Sequence, residues 1–346
     1  MAGIKKKTAI SYAVNLALTV VLFLVLVFAI TGGAFDSYQS GLLSMVCINV
    51  ILAVSLNLVT GVLGQLVLGH AGFMLVGAYA AALFTKNSGL PLSIALPIGL
   101  LLAGVLAALF GVVIGIPALR LRGDYLAIIT LGFGEIIRVA ANSLEFTGGA
   151  KGLSGIPAVG TTRNPAPMFI YAFVIAVLVI YIMFAFGRSR HGRAVISIRE
   201  DEIAAEASGI NTTYYKLLAF VMAAFIAGVA GGLYAHHIGV LDPAKFDFNR
   251  SVEILIMVVL GGMGSITGSI ISATVLTLLP EMLRGFNEWR MLIYSVILIC
   301  VMLFKPSGLL GRYELSITDA PRRIKAFIGR AKQRRAAKNG ADSEEV

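Results

Sequence analysis

Charge is scarce in this sequence: charged residues make up 13% of its 346 positions, while 58% are hydrophobic. Soluble domains carry roughly 25% charged residues. The deficit, with a mean hydropathy of +0.89, excludes a domain solvated on all sides and makes lipid the solvent. The net charge of +10 does not point to nucleic acid, because the basic residues crowd into links between apolar blocks, which is how membrane orientation is encoded. Only two cysteines occur, Cys47 and Cys300, both inside apolar blocks, so neither a disulfide framework nor a thiolate metal site is expected. Segments of ~10 residues with alternating polarity, the mark of a membrane barrel, are missing. So is a G-x-x-x-x-G-K-[ST] phosphate loop. Gly148-Gly149-Ala150-Lys151-Gly152 has the composition without the spacing. No paired carboxylates, Ser-His-Asp set or metal-ligand cluster appears, and the adjacent His236-His237 is not read as a metal site. The chain is expected to be no enzyme and to bind no cofactor or metal.

Present instead are long apolar blocks, several reaching the ~20 residues that cross a hydrocarbon core. They run from about Tyr12 to Ile30, then over Gly41–Thr60, Gly61–Thr85, Leu92–Leu119, Tyr125–Ser143, Met168–Phe186, Leu217–Ala235, Val252–Leu283 and Met291–Phe304. Backbone polar groups in lipid must be satisfied within helices, so an all-α polytopic bundle is expected. Lys5-Lys6-Lys7 before the first block place the N-terminus in the cytoplasm. The links at Arg120/Arg122 and Arg188–Arg193 then fall on the same side. The basic tail joins them only if Val252–Leu283 enters and leaves on one side. Gly261, Gly262, Gly264 and Gly268 supply the break, since each interior glycine costs about 1 kcal/mol relative to alanine. Counting two arms gives about ten membrane-embedded segments with both termini inside.

A second glycine cluster, Gly61, Gly64, Gly69, Gly72 and Gly77, opens the third block. The pairs Gly111/Gly115, Gly228/Gly232 and Gly264/Gly268 have the spacing of close helix packing. Broken helices also build the sites of transporters, so Gly261 and Gly264 are candidate pathway residues. Ionisable residues within spans are costly and functional by default. Glu135 and Arg138 share one face of the fifth block, and at ~1.5 Å per residue Glu135 stands about 16 Å above Asp124. They either pair structurally or line a route. Asn57 and Gln65 are further pathway candidates, with His70 and Glu253 weaker ones.

The segment 188–216 is the longest cytoplasmic insert within a membrane domain read as 1–312. Ser197-Ile198-Arg199-Glu200 has the S-x-x-E form of a capping box. Glu200, Asp201 and Glu202 suit a first helical turn. Ala204, Ala205 and Ala207 are strong helix formers, and Gly209 sits where a terminating glycine belongs. A rigid helix of about three turns is expected over Glu200–Gly209. The residues 313–346 form a basic cytoplasmic tail, with Ile324, Phe327, Ile328 and Ala331 at helical spacing among arginines and lysines. That pattern suits an anionic membrane surface.

Several motifs in this order resemble one family. The stretches 199–211, 123–138 and 147–157, together with 57–77 and 260–268, are similar to permeases of branched-chain amino acid ABC transporters. The likeness covers about 41–312 and lies nearer the longer of the two permease types. It implies import of leucine, isoleucine and valine across the bacterial inner membrane. It also implies a heterodimer with a second permease, two cytoplasmic ATPase subunits that bind the ATP, and a periplasmic binding protein. Glu200, Asp201, Glu202, Ala204, Ala205, Glu206 and Gly209 would then form the coupling helix seated on an ATPase subunit. One departure stands out: Ile203 occupies the glutamate position of the commoner E-A-A-x-x-x-G pattern, leaving Glu202 or Glu206 to make the polar contact. Permeases for urea resemble the same family and remain the substrate alternative. A stand-alone ion-coupled carrier using Glu135 is the alternative outside it.

Overall fold

Several helix ends of this chain lie at glycines in a positive-φ conformation, among them Gly209, Gly239 and Gly262. In the computed structural model, residues 2–121, 123–160, 165–305, 308–311 and 314 are described. Among them the α-helices are α1 (Ala2–Thr31), α2 (Ser37–Asn57), α3 (His70–Asn87), α4 (Leu92–Ala118), α5 (Asp124–Ser143) and α6 (Ala166–Arg188). They continue with α7 (Arg190–Glu200), α8 (Glu202–Ala207), α9 (Thr212–Ile238), α10 (Phe248–Gly261), α11 (Ile266–Met282) and α12 (Arg290–Phe304). Among the described residues, six stretches are long and apolar enough to cross a membrane: 37–62, 92–118, 124–143, 166–188, 212–238 and 266–286. The expected number of about ten exceeds this by four: α10 and α12 are short, α1 counts as an apolar helix only over Ala17–Thr31, and the third block is helical only from His70. Contacts divide the chain into 1–28 with 314–346, and 29–313. The first unit is described as most of α1, whose side chains from Ala17 on are largely exposed. The tail lies outside the described residues except for Glu314.

Within the second unit α3, α4 and α9 pack most closely. Lipid gives no hydrophobic drive for helix association, so close van der Waals fit must supply it. Glycines provide that fit. A Cβ on Gly77 would collide with the backbone of Gly228, and one on Gly231 with the carbonyl of Met74. Gly111 faces Ala224, and Gly115 faces Leu217 and Phe220. Two of the three small-residue pairs, Gly111/Gly115 and Gly228/Gly232, thus serve helix packing. Polar groups add specific ties: Thr85 meets His236 Nε2 at 2.9 Å, and Ser55 meets His70 Nε2 at 2.8 Å, both buried.

α2 is buried along most of its length and touches α6, α9, α10 and α11. Its C-terminal end widens into a π turn, Leu58–Val62. The chain then runs unwound over 63–69 before α3 starts. This corrects the expected start of the third span by nine residues. The unwound stretch is held by Leu68 N donating to Thr130 Oγ1 at 3.2 Å and by Gly69 lying against the Thr130 backbone. A side chain at either Gly69 or Gly72 would push α5 away.

α10 ends at Gly261, and three non-helical residues follow before Ser265 caps α11 by accepting from Gly268 N. The two helices lie side by side. A Cβ on Gly261 would come within 2.5 Å of the Gly268 backbone, and Ser272 Oγ donates to the carbonyl of Met257. Farther along, Asn49 of α2 joins both arms, donating to Thr277 at 2.9 Å and accepting from Arg250 at 2.7 Å. On the far side of the break, Leu309 N and Leu310 N donate to the carbonyls of Leu260 and Gly261. Those are the orphan acceptors that a helix C-terminus leaves.

Candidate coupling and translocation site

The segment after α6 folds as two short helices, not as one of three turns. Ser189, not Ser197, caps α7, accepting from Gly192 N at 3.1 Å. Ser197 lies inside α7, and its hydroxyl donates to the Ala194 carbonyl. The chain breaks at Asp201, whose carboxylate accepts from Ile203 N and Ala204 N and so caps α8. The expected capping box is therefore replaced by a serine eight residues earlier and an aspartate four residues later. Either competes well for helix N–H groups, and only the tertiary setting selects among them. α8 has six residues and ends at Gly209, whose φ of +83° suits a terminating glycine.

Two ties fix α8 to this chain. Ala205 is buried, so it packs inward and is not available to a partner. Glu202 pairs with Lys216 Nζ on α9 at 2.7 Å, with the lysine side chain only 5% exposed. Glu202 is thus engaged internally, which leaves Glu206 as the acidic residue of α8 that remains exposed. Ile203, Ala204, Glu206 and Ala207 present the outward face, with Ile203 exposed at 74%. Glu200 and Asp201 are exposed at the junction of the two helices, and Gly209 at the end of α8.

Three of the expected pathway residues meet at one junction. Asn57 is buried; its Nδ2 donates to Ser265 O at 3.0 Å, and its Oδ1 accepts from Gly264 N at 2.8 Å. It therefore satisfies the Gly264 N–H that the break between α10 and α11 sets free, and adds a second donor to Ser265 O, which already accepts from Ser269 N at the start of α11. Gly264 and Gly261 form the two sides of that break. The sequence reading gave no role to Arg199, yet its guanidinium enters the same junction from the last turn of α7 and donates to Gly61 O. A signal existed in the sequence: an arginine in the first turn of a helix opposes the macrodipole, whereas one in a last turn is favoured.

Glu135 and Arg138 bond to each other at 2.7 Å, on a half-exposed face of α5. They lie apart from the junction. Glu135 borders a narrow notch with Leu68, Gly72, Gly134, Phe248 and Ser251. Gln65 lies in the unwound stretch after the π turn, and its buried Oε1 has no hydrogen-bond partner among the described residues. Leaving a buried acceptor unpaired costs about 1–3 kcal/mol.

A bundle of membrane-length helices, unwound at two places where glycines meet and carrying an exposed helical pair between two spans, defines a multi-pass membrane protein of the transporter type. Comparison with known proteins makes the class specific. Residues 38–302 match the family described as branched-chain amino acid transport system / permease component, and the chain belongs to that family. It is 39% identical over 295 residues to the high-affinity branched-chain amino acid transport system permease protein LivM of Salmonella typhimurium, covering 77% of this chain and 68% of that one. The Escherichia coli K12 LivM matches at the same identity and coverage. LivH of Salmonella typhimurium is 27% identical over 286 residues, 77% of this chain and 92% of that protein.

Proposed function

We propose that this chain is the LivM-type permease subunit of an ABC importer that carries leucine, isoleucine and valine across the bacterial inner membrane. Its partners on this reading are a second, LivH-type permease, two cytoplasmic ATPase subunits that bind ATP, and a periplasmic binding protein. Both chain termini lie in the cytoplasm. α10 and α11 form a hairpin that enters and leaves on the outer side, with Gly261–Ser265 at its tip. The unwound stretch at Gln65 and the α5 face at Glu135 border the translocation route.

The observation that carries the reading is α8. It is a small helix capped by Asp201, pinned to α9 by Glu202 and Lys216, with Ile203, Ala204 and Glu206 turned outward. The exposed isoleucine at the position where related patterns carry glutamate makes the contact with the ATPase subunit partly apolar. Closure of the nucleotide-bound ATPases pushes on this helix and switches the bundle between two packings. Replacing Ala204 with tryptophan tests it, since Ala204 is exposed and lies outside the bundle's own contacts. The variant should fold and lose co-purification with the ATPase subunits. Retained co-purification together with wild-type leucine uptake would remove α8 from the coupling role.

A further inference from the structure

Three glycines from two remote parts of the chain converge on Arg199. Gly61, in the π turn that ends α2, supplies the carbonyl to which Nη1 donates. Gly64, at φ +79°, leaves room for the aliphatic stem: a Cβ there would lie 2.7 Å from Arg199 Cγ. Gly264, at φ +94° in the break between α10 and α11, leaves room for the guanidinium: a Cβ there would lie 2.9 Å from Nη1. One side chain thus occupies a cradle made of backbone, and the cradle is where two broken elements touch. Asn57 binds the same two elements together from α2, through Gly264 N and Ser265 O. The segment 308–311 holds the other side of the break.

Arg199 belongs to the last turn of α7, two residues before the cap of α8. We propose that Arg199 is the positioning residue that transmits displacement of α7 and α8 to the broken-helix junction, so that Gly61 and Gly264 move with the coupling segment. This rests on the coupling reading of α8 and names the path by which its motion reaches the membrane interior. The physical reason is direction and charge. The end of α2 and its π turn carries the negative pole of a helix dipole, where the Gly61 carbonyl accepts from Arg199, and a planar guanidinium fixes its acceptor's direction better than an ammonium does. At these three glycines the arginine meets backbone rather than side chains, so its displacement is passed directly to the main chain there. The junction shifts as one piece with α7.

The test uses the complete importer in lipid vesicles, with labelled leucine as the probe and uptake measured per ATP hydrolysed. Arg199→Ala should lower that ratio by about tenfold while the ATPase subunits still co-purify. Arg199→Lys, which keeps a cation and one donor, should recover part of the loss. Arg193→Ala, on the same helix with its exposed guanidinium donating to the Arg188 carbonyl, should leave the ratio unchanged. A ratio for Arg199→Ala equal to that of Arg193→Ala overturns the inference. Failure of the coupling reading itself looks different: Ala204→Trp would then keep its ATPase partners. Should Arg199→Ala not fold, spin labels on the exposed Ile196 and Met263 of the otherwise native complex decide it. Their separation should hold within about 2 Å when ATP binds, while each moves relative to α4; a change approaching a helical turn of ~5 Å sinks the relay.

Discussion

Asn57 shows how a single side chain can stand in for missing helix. Its amide oxygen takes the Gly264 N–H that a continuous helix would have paired, and its amide nitrogen donates to Ser265 O beside the helical bond from Ser269 N. Asn57→Ala should therefore lower stability by about 1–3 kcal/mol, the cost of leaving the Gly264 N–H without its partner inside the bundle. Thermal unfolding in detergent reads this as a lowered midpoint, and an unchanged midpoint would mean that water replaces the amide. The glycines make a paired case. Gly77→Ala should separate α3 from α9 and reduce folded yield, since its Cβ would overlap the Gly228 backbone. Gly132→Ala should be tolerated, because nothing lies within 4 Å of that position. Chromatographic recovery of the two variants compares them directly, and equal recovery would defeat the packing argument. That Asn57 matters was legible from its place in a span. Its partners, two hundred residues away, were not, because sequence spacing carries no information about which breaks meet.

At the scale of elements, α8 is too short to be helical alone, as nucleating a turn is unfavourable for isolated peptides. Its order comes from the Asp201 cap, burial of Ala205 and the Glu202–Lys216 pair. Lys216→Met removes the ion pair and should loosen α8 without unfolding α9. Hydrogen exchange of amides 202–208 should rise about tenfold, the scale of roughly 1–2 kcal/mol of local stability. Exchange as slow as in the native protein would show that the cap and Ala205 suffice. The sequence placed a helix here correctly and misjudged its start, because serine and aspartate are both good caps and several lay within reach. The same ambiguity moved the start of α3 from Gly61 to His70. Glycine clusters announce that a helix breaks, while the packing of Gly69 on α5 decides where it resumes.

For the whole molecule, orientation and the fold-back of α10 and α11 are the decisive questions. Labelling in intact cells answers both, after Cys300, the exposed native cysteine, is replaced by serine. A cysteine at the exposed Ile196 should label only from the cytoplasm, and one at the exposed Val240 only from outside. Phe248 and Met282, at the two outer ends of the broken pair, should both label from the same side as Val240. Labelling of Phe248 and Met282 from opposite sides would turn the pair into a full crossing and reverse the placement of α12.

The sequence by itself determined the solvent of this protein, its helical class, the positions of most spans and the family to which it belongs. Those properties follow from local composition and period, which act within ~20 residues. Tertiary structure alone decided that the breaks at Gly61 and Gly264 meet, that Asn57 and Arg199 bridge them, and that Glu202 and Ala205 turn inward. These are contacts between remote segments, set by how helices fit once every backbone group must find a partner in lipid.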